Sequence, residues 1–232
     1  MMTKTFILTA VLLSLTFIKS QSLKVEYAVQ FKNQKPPNFG SEDFRKRAEK
    51  QQNEKQKHFL SYLDGNSVYE SFPAPPIYDT VNKPKRIYLT EIPLNSYSTP
   101  KIKAIKRKDN PAYYALTKMK GEEFYQSGIP DNKVLETTDS KEKILGYSCK
   151  IATLENQSKI NAKVWYTEQI KIKTGPFAYY NFPGLVLKVE TDNLSIEAKS
   201  VEKDAKNVIV EDIDKNLKVY NQEEFQEKLR QL

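Results

Sequence analysis

Period-two alternation of apolar side chains is the feature that most limits what this chain can fold into. Leu23, Val25, Tyr27, Val29 and Phe31 fall on one face of a single extended segment, the pattern of a half-buried β-strand. Runs of 59–63 and 67–71 flank Asp64-Gly65-Asn66, residues that tolerate the positive φ of a tight hairpin turn. From residue 112 onward strand-like runs return at 112–117, 122–126, 133–138, 144–154, 160–170, 185–191, 194–200 and 208–213. Such spacing points to a meandering antiparallel sheet, not to alternating βα units.

Two helices interrupt this pattern. Ser41 is placed to cap a strongly charged helix that runs to about residue 57, with Phe44 and Ala48 as its sparse apolar positions. Asn221 precedes a short amphipathic helix over 222–231, in which Phe225 and Leu229 stand at i, i+4. Between residues 73 and 111 seven prolines break any long element and leave one short strand candidate at 86–90. The expected fold is mainly β (α+β): one curved antiparallel sheet, with the charged helix in the N-terminal region and the short helix at the C-terminus. An open half-barrel, by analogy with periplasmic lipoprotein carriers, and a closed barrel both dispose of the strand edges. The half-barrel is the expectation taken here.

The first twenty residues read as a signal peptide. Lys4 precedes an apolar run from Phe6 to Ile18, long enough for a signal h-region and short of the roughly 20 residues a spanning helix needs. Ser20 before Gln21 offers a cleavage site, with an uncleaved N-terminal anchor as the alternative. Residues 21–232 are then expected to form one domain, in the periplasm, associated with the outer membrane, or secreted. Net charge is +8, and +6 once Lys4 and Lys19 are lost. In an exported protein this excess points to anionic lipid or acidic polysaccharide before nucleic acid. The basic run of 101–108, with Ile102 and Ile105 between its charges, is expected to be a solvated loop with the option of peripheral contact with an anionic membrane.

Residues able to carry chemistry are few. Cys149 is the sole cysteine and His58 the sole histidine, so no intrachain disulfide forms and a zinc or copper site lacks ligands. Counted by twos, Cys149 shares a face with Leu145, Tyr147 and Ile151, and burial there would make its thiol inert. No phosphate-binding glycine loop, GxSxG elbow or D-x-D-x-D-G loop is present. Glu168, Glu190, Asp192 and Glu197 fall on neighbouring strand segments, where charge on a solvent face is the ordinary reading. The expectation is therefore no metal, no cofactor and no catalytic residue.

One region is more distinctive. A GYxCKxAT strand beginning at Gly146, the Trp165-Tyr166-Thr167 strand, and the segment from Gly175-Pro176 through Phe182-Pro183-Gly184-Leu185 occur in series. Pro183 and Gly184 suit the centre of a type II turn, and Gly175-Pro176 supplies a second bend. Phe177, Tyr179, Tyr180 and Phe182 then sit on a loop held at both ends. Together with Trp165, on the strand face opposite Val164 and Tyr166, they are the candidate binding residues. Gly146, Cys149, Gly175, Pro176, Pro183, Gly184 and Leu185 are the structural residues of the motif. In order and spacing these patterns resemble the GLPGLI family of exported bacterial proteins, with Asn181 and Phe182 departing from its first two turn positions. That family has no settled activity. The resemblance and the missing catalytic constellation together imply a non-enzymatic exported protein that binds a ligand or a cell-envelope partner. A carrier of lipid or another apolar molecule is the alternative, and a thiol or hydrolytic enzyme the third reading.

Overall fold

A computed structural model describes residues 21–35, 37–82, 96–155 and 161–231. The signal-like segment and the strand candidate at 86–90 lie outside the described residues.

Ser22–Phe31 forms β1, with Leu23, Val25, Tyr27 and Val29 buried as the alternation requires. Ser41 accepts a hydrogen bond from the Phe44 amide at 3.3 Å and starts α1, Glu42–Asn53. This helix ends earlier than expected, because Gln56–Leu63 already belongs to β2. β2 pairs with β3, Asn66–Phe72, through a two-residue turn in which Asp64 and Gly65 have φ of 47° and 96°. Both central residues are thus left-handed, the geometry whose twist matches the strands on either side.

Short strands β4, Ile77–Tyr78, and β5, Ser96–Tyr97, form a separate ribbon. The basic run is not a loop: Lys103–Lys106 is β6, paired with β3, and it buries Ala104 and Ile105 between its charges. The meander continues through β7 (Tyr113–Met119), β8 (Glu122–Gly128), β9 (Lys133–Ile144), β10 (Tyr147–Glu155), β11 (Asn161–Thr167), β12 (Leu185–Glu190) and β13 (Leu194–Lys203). Val219–Tyr220 adds β14, and Gln222–Arg230 forms α2 behind a capping box of Asn221 and Glu224.

The principal sheet has twelve strands in the order β14-β8-β7-β6-β3-β2-β1-β13-β12-β11-β10-β9. Its end strands do not pair, so the sheet is open and the barrel alternative falls. One detail departs from the antiparallel expectation: β14 joins β8 in parallel and makes the sheet mixed. N- and C-terminal halves interlock at the centre, where β1 lies between β2 and β13.

The main core gathers β1, the later part of β2, β10 to β13 and the segment that runs from β11 to β12. Leu185, Val186, Leu187 and Val189 are fully buried in it. The Tyr27 hydroxyl reaches over β13 and donates to the Val186 carbonyl at 2.7 Å. A second, smaller cluster of Val68, Ile105 and Tyr125 receives Val210, Ile213 and Leu217. The run at 208–213 was expected to be a strand; it instead packs over β6 to β8 as an irregular cover. Ion pairs from Lys103 to Glu211 and from Arg107 to Asp212 hold this cover on β6, and so give two of the basic run's charges a local partner.

Candidate functional site

The motif residues meet at one end of the sheet. Leu145 and Gly146, at φ of 51° and 82°, form the tight turn from β9 to β10. A register shift then falls between Ser148 and Lys150, where residues 140–142 of β9 stand opposite Cys149 alone. Cys149, Ala152 and Leu154 are buried, Tyr147 and Ile151 are half-buried against the same core, and Leu145, expected on that face, is exposed on the turn. Burial raises the Cys149 thiol above its ordinary pKa, and its sulfur lies 3.5 Å from the Tyr147 carbonyl.

Downstream, Pro183 and Gly184 do not make a type II turn. Gly184 is not left-handed, and its amide donates to the Phe182 carbonyl two residues back at 2.8 Å. Glycine is required there by close approach, since a Cβ would lie 2.0 Å from the Thr167 carbonyl oxygen. Leu185 pairs with Thr167 at the start of β12. Gly175 meets the same constraint from the Tyr179 carbonyl, and Pro176 accepts from the Tyr179 amide at 2.9 Å.

The aromatic candidates are brought together only in part. Phe182 stacks near Tyr166, ring centroids 5.3 Å apart, and Phe177 near Tyr113 at 5.1 Å. Tyr180 donates to the Pro111 carbonyl at 2.7 Å beneath Lys106, whose ammonium lies 5.1 Å from its ring. Tyr180 and Phe182 are buried, and Tyr179 is half-buried. Trp165 stands apart on β11, covered not by a helix but by Lys188, 4.6 Å above the indole.

Beside the Cys149 bulge lies a polar hollow of about 320 Å³, bordered by Asp139, Ser148, Cys149, Lys150, Glu168 and Gln169. Lys150 stands across from Asp139 in the β9–β10 register, and its ammonium donates to Glu168 at 3.1 Å. The hydrogen bond to Glu168, reinforced by that carboxylate's charge, raises the Lys150 pKa, so the ammonium keeps its charge. The Gln169 side chain is fixed by the Ser148 amide at 2.8 Å. Two carboxylates, an ammonium and a carboxamide thus face one small basin, a set suited to binding hydroxyl and amide groups. Of these, Asp139 and Lys150 were not singled out as a pair in the sequence. The signal is their opposition across a hairpin, visible once the turn at Leu145-Gly146 fixes the register.

A second polar region lies under the C-terminal half of α1. Gln51, Gln52, Gln56 and Thr99 are buried there, His58 is buried further along β2, and each has a side-chain polar atom without a hydrogen-bond partner among the described residues. Burial lowers His58 to about 4, which keeps its ring neutral beside Tyr69 at 5.3 Å. Asp79 anchors the other end of the helix. Its carboxylate accepts from the Asn82 side chain, the Ser41 amide and hydroxyl, and the Val81 amide, and these bonds hold its pKa far below the carboxylate range. No group of three or more His, Cys, Asp or Glu side chains among the described residues is arranged around a metal position.

The described residues form an open, mainly β domain with a twelve-stranded sheet and two short helices, and a family match gives it a lineage. The model described as "N-glycanase peptide, N-terminal domain" matches residues 77–226, and the chain belongs to that family. Two solved structures of PNGF-II, in different crystal forms, share its fold at TM-scores of 0.52 and 0.50, each with 18% sequence identity. They align with 89% and 90% of this chain, which spans 32% of the length of either. Nothing among the curated proteins matches the chain.

These findings overturn the GLPGLI resemblance and the functional expectation built on it. The residues that carried the resemblance serve local geometry: a left-handed hairpin turn at Gly146 and backbone contacts at Gly175 and Gly184. Such needs recur in many sheets, so the motif discriminates poorly between families. The expectations of a non-enzymatic binding protein and of a lipid carrier fall with it, because both rested on that resemblance and the family match is instead to the N-terminal domain of an N-glycanase. The carrier fails physically as well, because Tyr27, Phe182, Leu185, Leu187 and their neighbours form a filled core. The sequence reading set Glu168, Glu190, Asp192 and Glu197 aside as solvent-face charge, although carboxylates alone can run the hydrolysis of a glycosidic bond.

Proposed function

We propose that this chain serves the hydrolytic removal of N-linked glycans from glycoproteins, engaging the glycopeptide at the Asp139–Lys150–Glu168 hollow. The observation that carries the reading is the family match over residues 77–226, which contains the whole of that hollow. Its chemistry is in keeping: a glycopeptide offers hydroxyls and amides, and the basin presents both acceptors and donors held by mutual hydrogen bonds. An extracytoplasmic setting, in the periplasm or beyond, agrees with the signal-like first twenty residues, because glycoprotein substrates lie outside the cytoplasm.

The test is incubation of the full chain with a defined glycopeptide, with released glycan and the peptide's modified asparagine both followed by mass spectrometry and glycopeptide binding by calorimetry. Binding or release, weakened about tenfold by Glu168→Gln, is the expected outcome. A chain that neither binds nor processes the glycopeptide refutes the reading.

A further inference from the structure

Where α1 ends and the β2–β3 hairpin begins, the surface dips into a hollow of about 210 Å³. Its lining has two kinds of side chain. Phe59 and Phe72 meet edge to face, centroids 5.4 Å apart and planes at 83°, and Phe72 is 58% exposed. An exposed phenylalanine beside a depression is a stacking surface lacking its partner. Gln51, Gln56 and Thr99 supply the other kind. All three are more than nine-tenths buried, yet Gln51 Oε1, both amide atoms of Gln56 and Thr99 Oγ1 lack a hydrogen-bond partner among the described residues. Gln51 is not free to turn away, because its Nε2 donates to the Pro75 carbonyl at 3.2 Å and leaves its oxygen as an acceptor.

The unspent groups define the ligand. They comprise acceptors on both glutamines, an N–H donor on Gln56 and a hydroxyl that serves either way. Of the nearby cations, Lys57 is paired with Glu26 at 3.4 Å, and Glu54 stands beside Lys55, so no net charge calls for an anion. A neutral molecule with one apolar face and several hydroxyl or amide groups around its edge meets these demands, and a pyranose ring has that form: its axial C–H bonds stack on an aromatic ring while its equatorial groups hydrogen-bond. The acetamido group of an N-acetylhexosamine adds a donor and an acceptor in amide geometry, the complement of Gln56.

We propose that this hollow is a carbohydrate subsite for an N-acetylhexosamine, stacked on Phe72 and hydrogen-bonded by Gln51, Gln56 and Thr99. It lies on α1, β2 and β3, apart from the Asp139–Lys150–Glu168 hollow on β9 to β11. The choice of N-acetylhexosamine among pyranoses rests on the N-glycan reading above. The hollow would then hold the glycan while the peptide is engaged elsewhere, as a second contact that raises affinity through linkage.

The experiment is titration of the isotope-labelled full chain with N,N′-diacetylchitobiose, and with cellobiose as the sugar lacking acetamido groups, read by amide chemical shifts. Chitobiose should produce saturable shifts at Gln51, Gln56 and Phe72 with Kd of about 1 mM, and cellobiose should bind at least about tenfold more weakly. Phe72→Ala, at an exposed position, should keep the fold and weaken chitobiose about tenfold, and Gln56→Leu should do the same from the hydrogen-bonding side. Absence of saturable shifts at these residues, or shifts that both variants leave intact, overturns the subsite. Equal binding of cellobiose overturns the acetamido assignment. Glycopeptide binding or release weakened by Glu168→Gln, without chitobiose binding here, sinks the subsite and leaves the proposed function standing, whereas chitobiose binding here, with glycopeptide binding that Glu168→Gln leaves unchanged and no release, upholds the subsite and sinks the function.

Discussion

One face of β2 holds two environments. Leu60 and Tyr62, at its far end, join Leu23, Val25, Tyr27 and Leu187 in a dry core. Gln56 and His58, four and two residues earlier on the same face, are buried with amide and ring atoms unpartnered among the described residues, Gln56 beside the end of α1. Burying an unpaired polar group costs about 1–3 kcal/mol, so this start of the strand is not arranged for stability. The far end is: its apolar side chains meet others, and the Tyr27 hydroxyl finds the Val186 carbonyl. The difference sets an apolar scaffold at the sheet's centre against a buried layer at the end of α1 that carries polar groups unpartnered among the described residues, a local conflict of the kind found at functional sites.

The largest effect should come from the dry side. Leu187→Ala removes a fully buried side chain at the meeting of β12 with the core, and should lower unfolding free energy by about 3 kcal/mol, read as a drop in urea midpoint at unchanged slope. A loss below 1 kcal/mol would mean that this region repacks easily and would erase the contrast with the α1 layer.

A second effect is specific to the polar side and depends on pH. His58 is held neutral by burial, with its folded-state pKa lowered from 6.5 to about 4. The unfolded chain therefore binds more protons than the folded one between those values, and stability rises with pH across that window. The contribution is fully present above pH 6.5 and is lost as pH falls through the window to 4, a change of about 2 kcal/mol. Urea midpoints at pH 7 and pH 4.5 should differ accordingly, and His58→Leu should flatten the difference. A wild-type chain equally stable at both pH values would show that the ring is not sealed.

Ser41→Ala should cost somewhat less, about 1.5 kcal/mol, because the one hydroxyl both caps α1 at the Phe44 amide and donates to Asp79 at 2.9 Å. Hydrogen exchange should localise the loss to α1 and the Asp79 turn. Exchange that quickens equally in β12 would mean that the helix layer and the core open together, against the division drawn here.

Much of this architecture was legible in the chain itself. Alternation at Leu23 to Phe31 marked β1, Asp64-Gly65 marked the first hairpin, and Ser41 and Asn221 marked both helix starts, because each is a local signal. Tertiary context decided the rest. The run at 208–213 alternates like a strand but finds its partners through side chains, over Val68, Ile105 and Tyr125. The register shift between Ser148 and Lys150 sets residues 140–142 of β9 opposite Cys149 alone, and an irregularity carried by the partner strand leaves no mark in a period-two count along β10. Family and function were missed for a related reason. Gly175 and Gly184 report a close backbone approach, which many sheets share, whereas the Asp139–Lys150–Glu168 basin exists only after three strands are placed side by side.

The smallest effect is the most telling, because its sign is reversed. Gln56 has neither amide atom partnered among the described residues, and Gln56→Leu replaces this buried amide by an apolar group of similar length. On the dry side every removal destabilises; here the replacement should stabilise by about 1 kcal/mol, since the penalty of an unmet donor and acceptor disappears. Thermal unfolding would register it as a rise of a few degrees. Stabilisation together with lost chitobiose binding would identify the amide as a ligand-binding group retained at a cost to the fold. Destabilisation by 1 kcal/mol or more would mean instead that ordered water satisfies Gln56, so that the α1 layer is as well packed in its own way as the core across the strand.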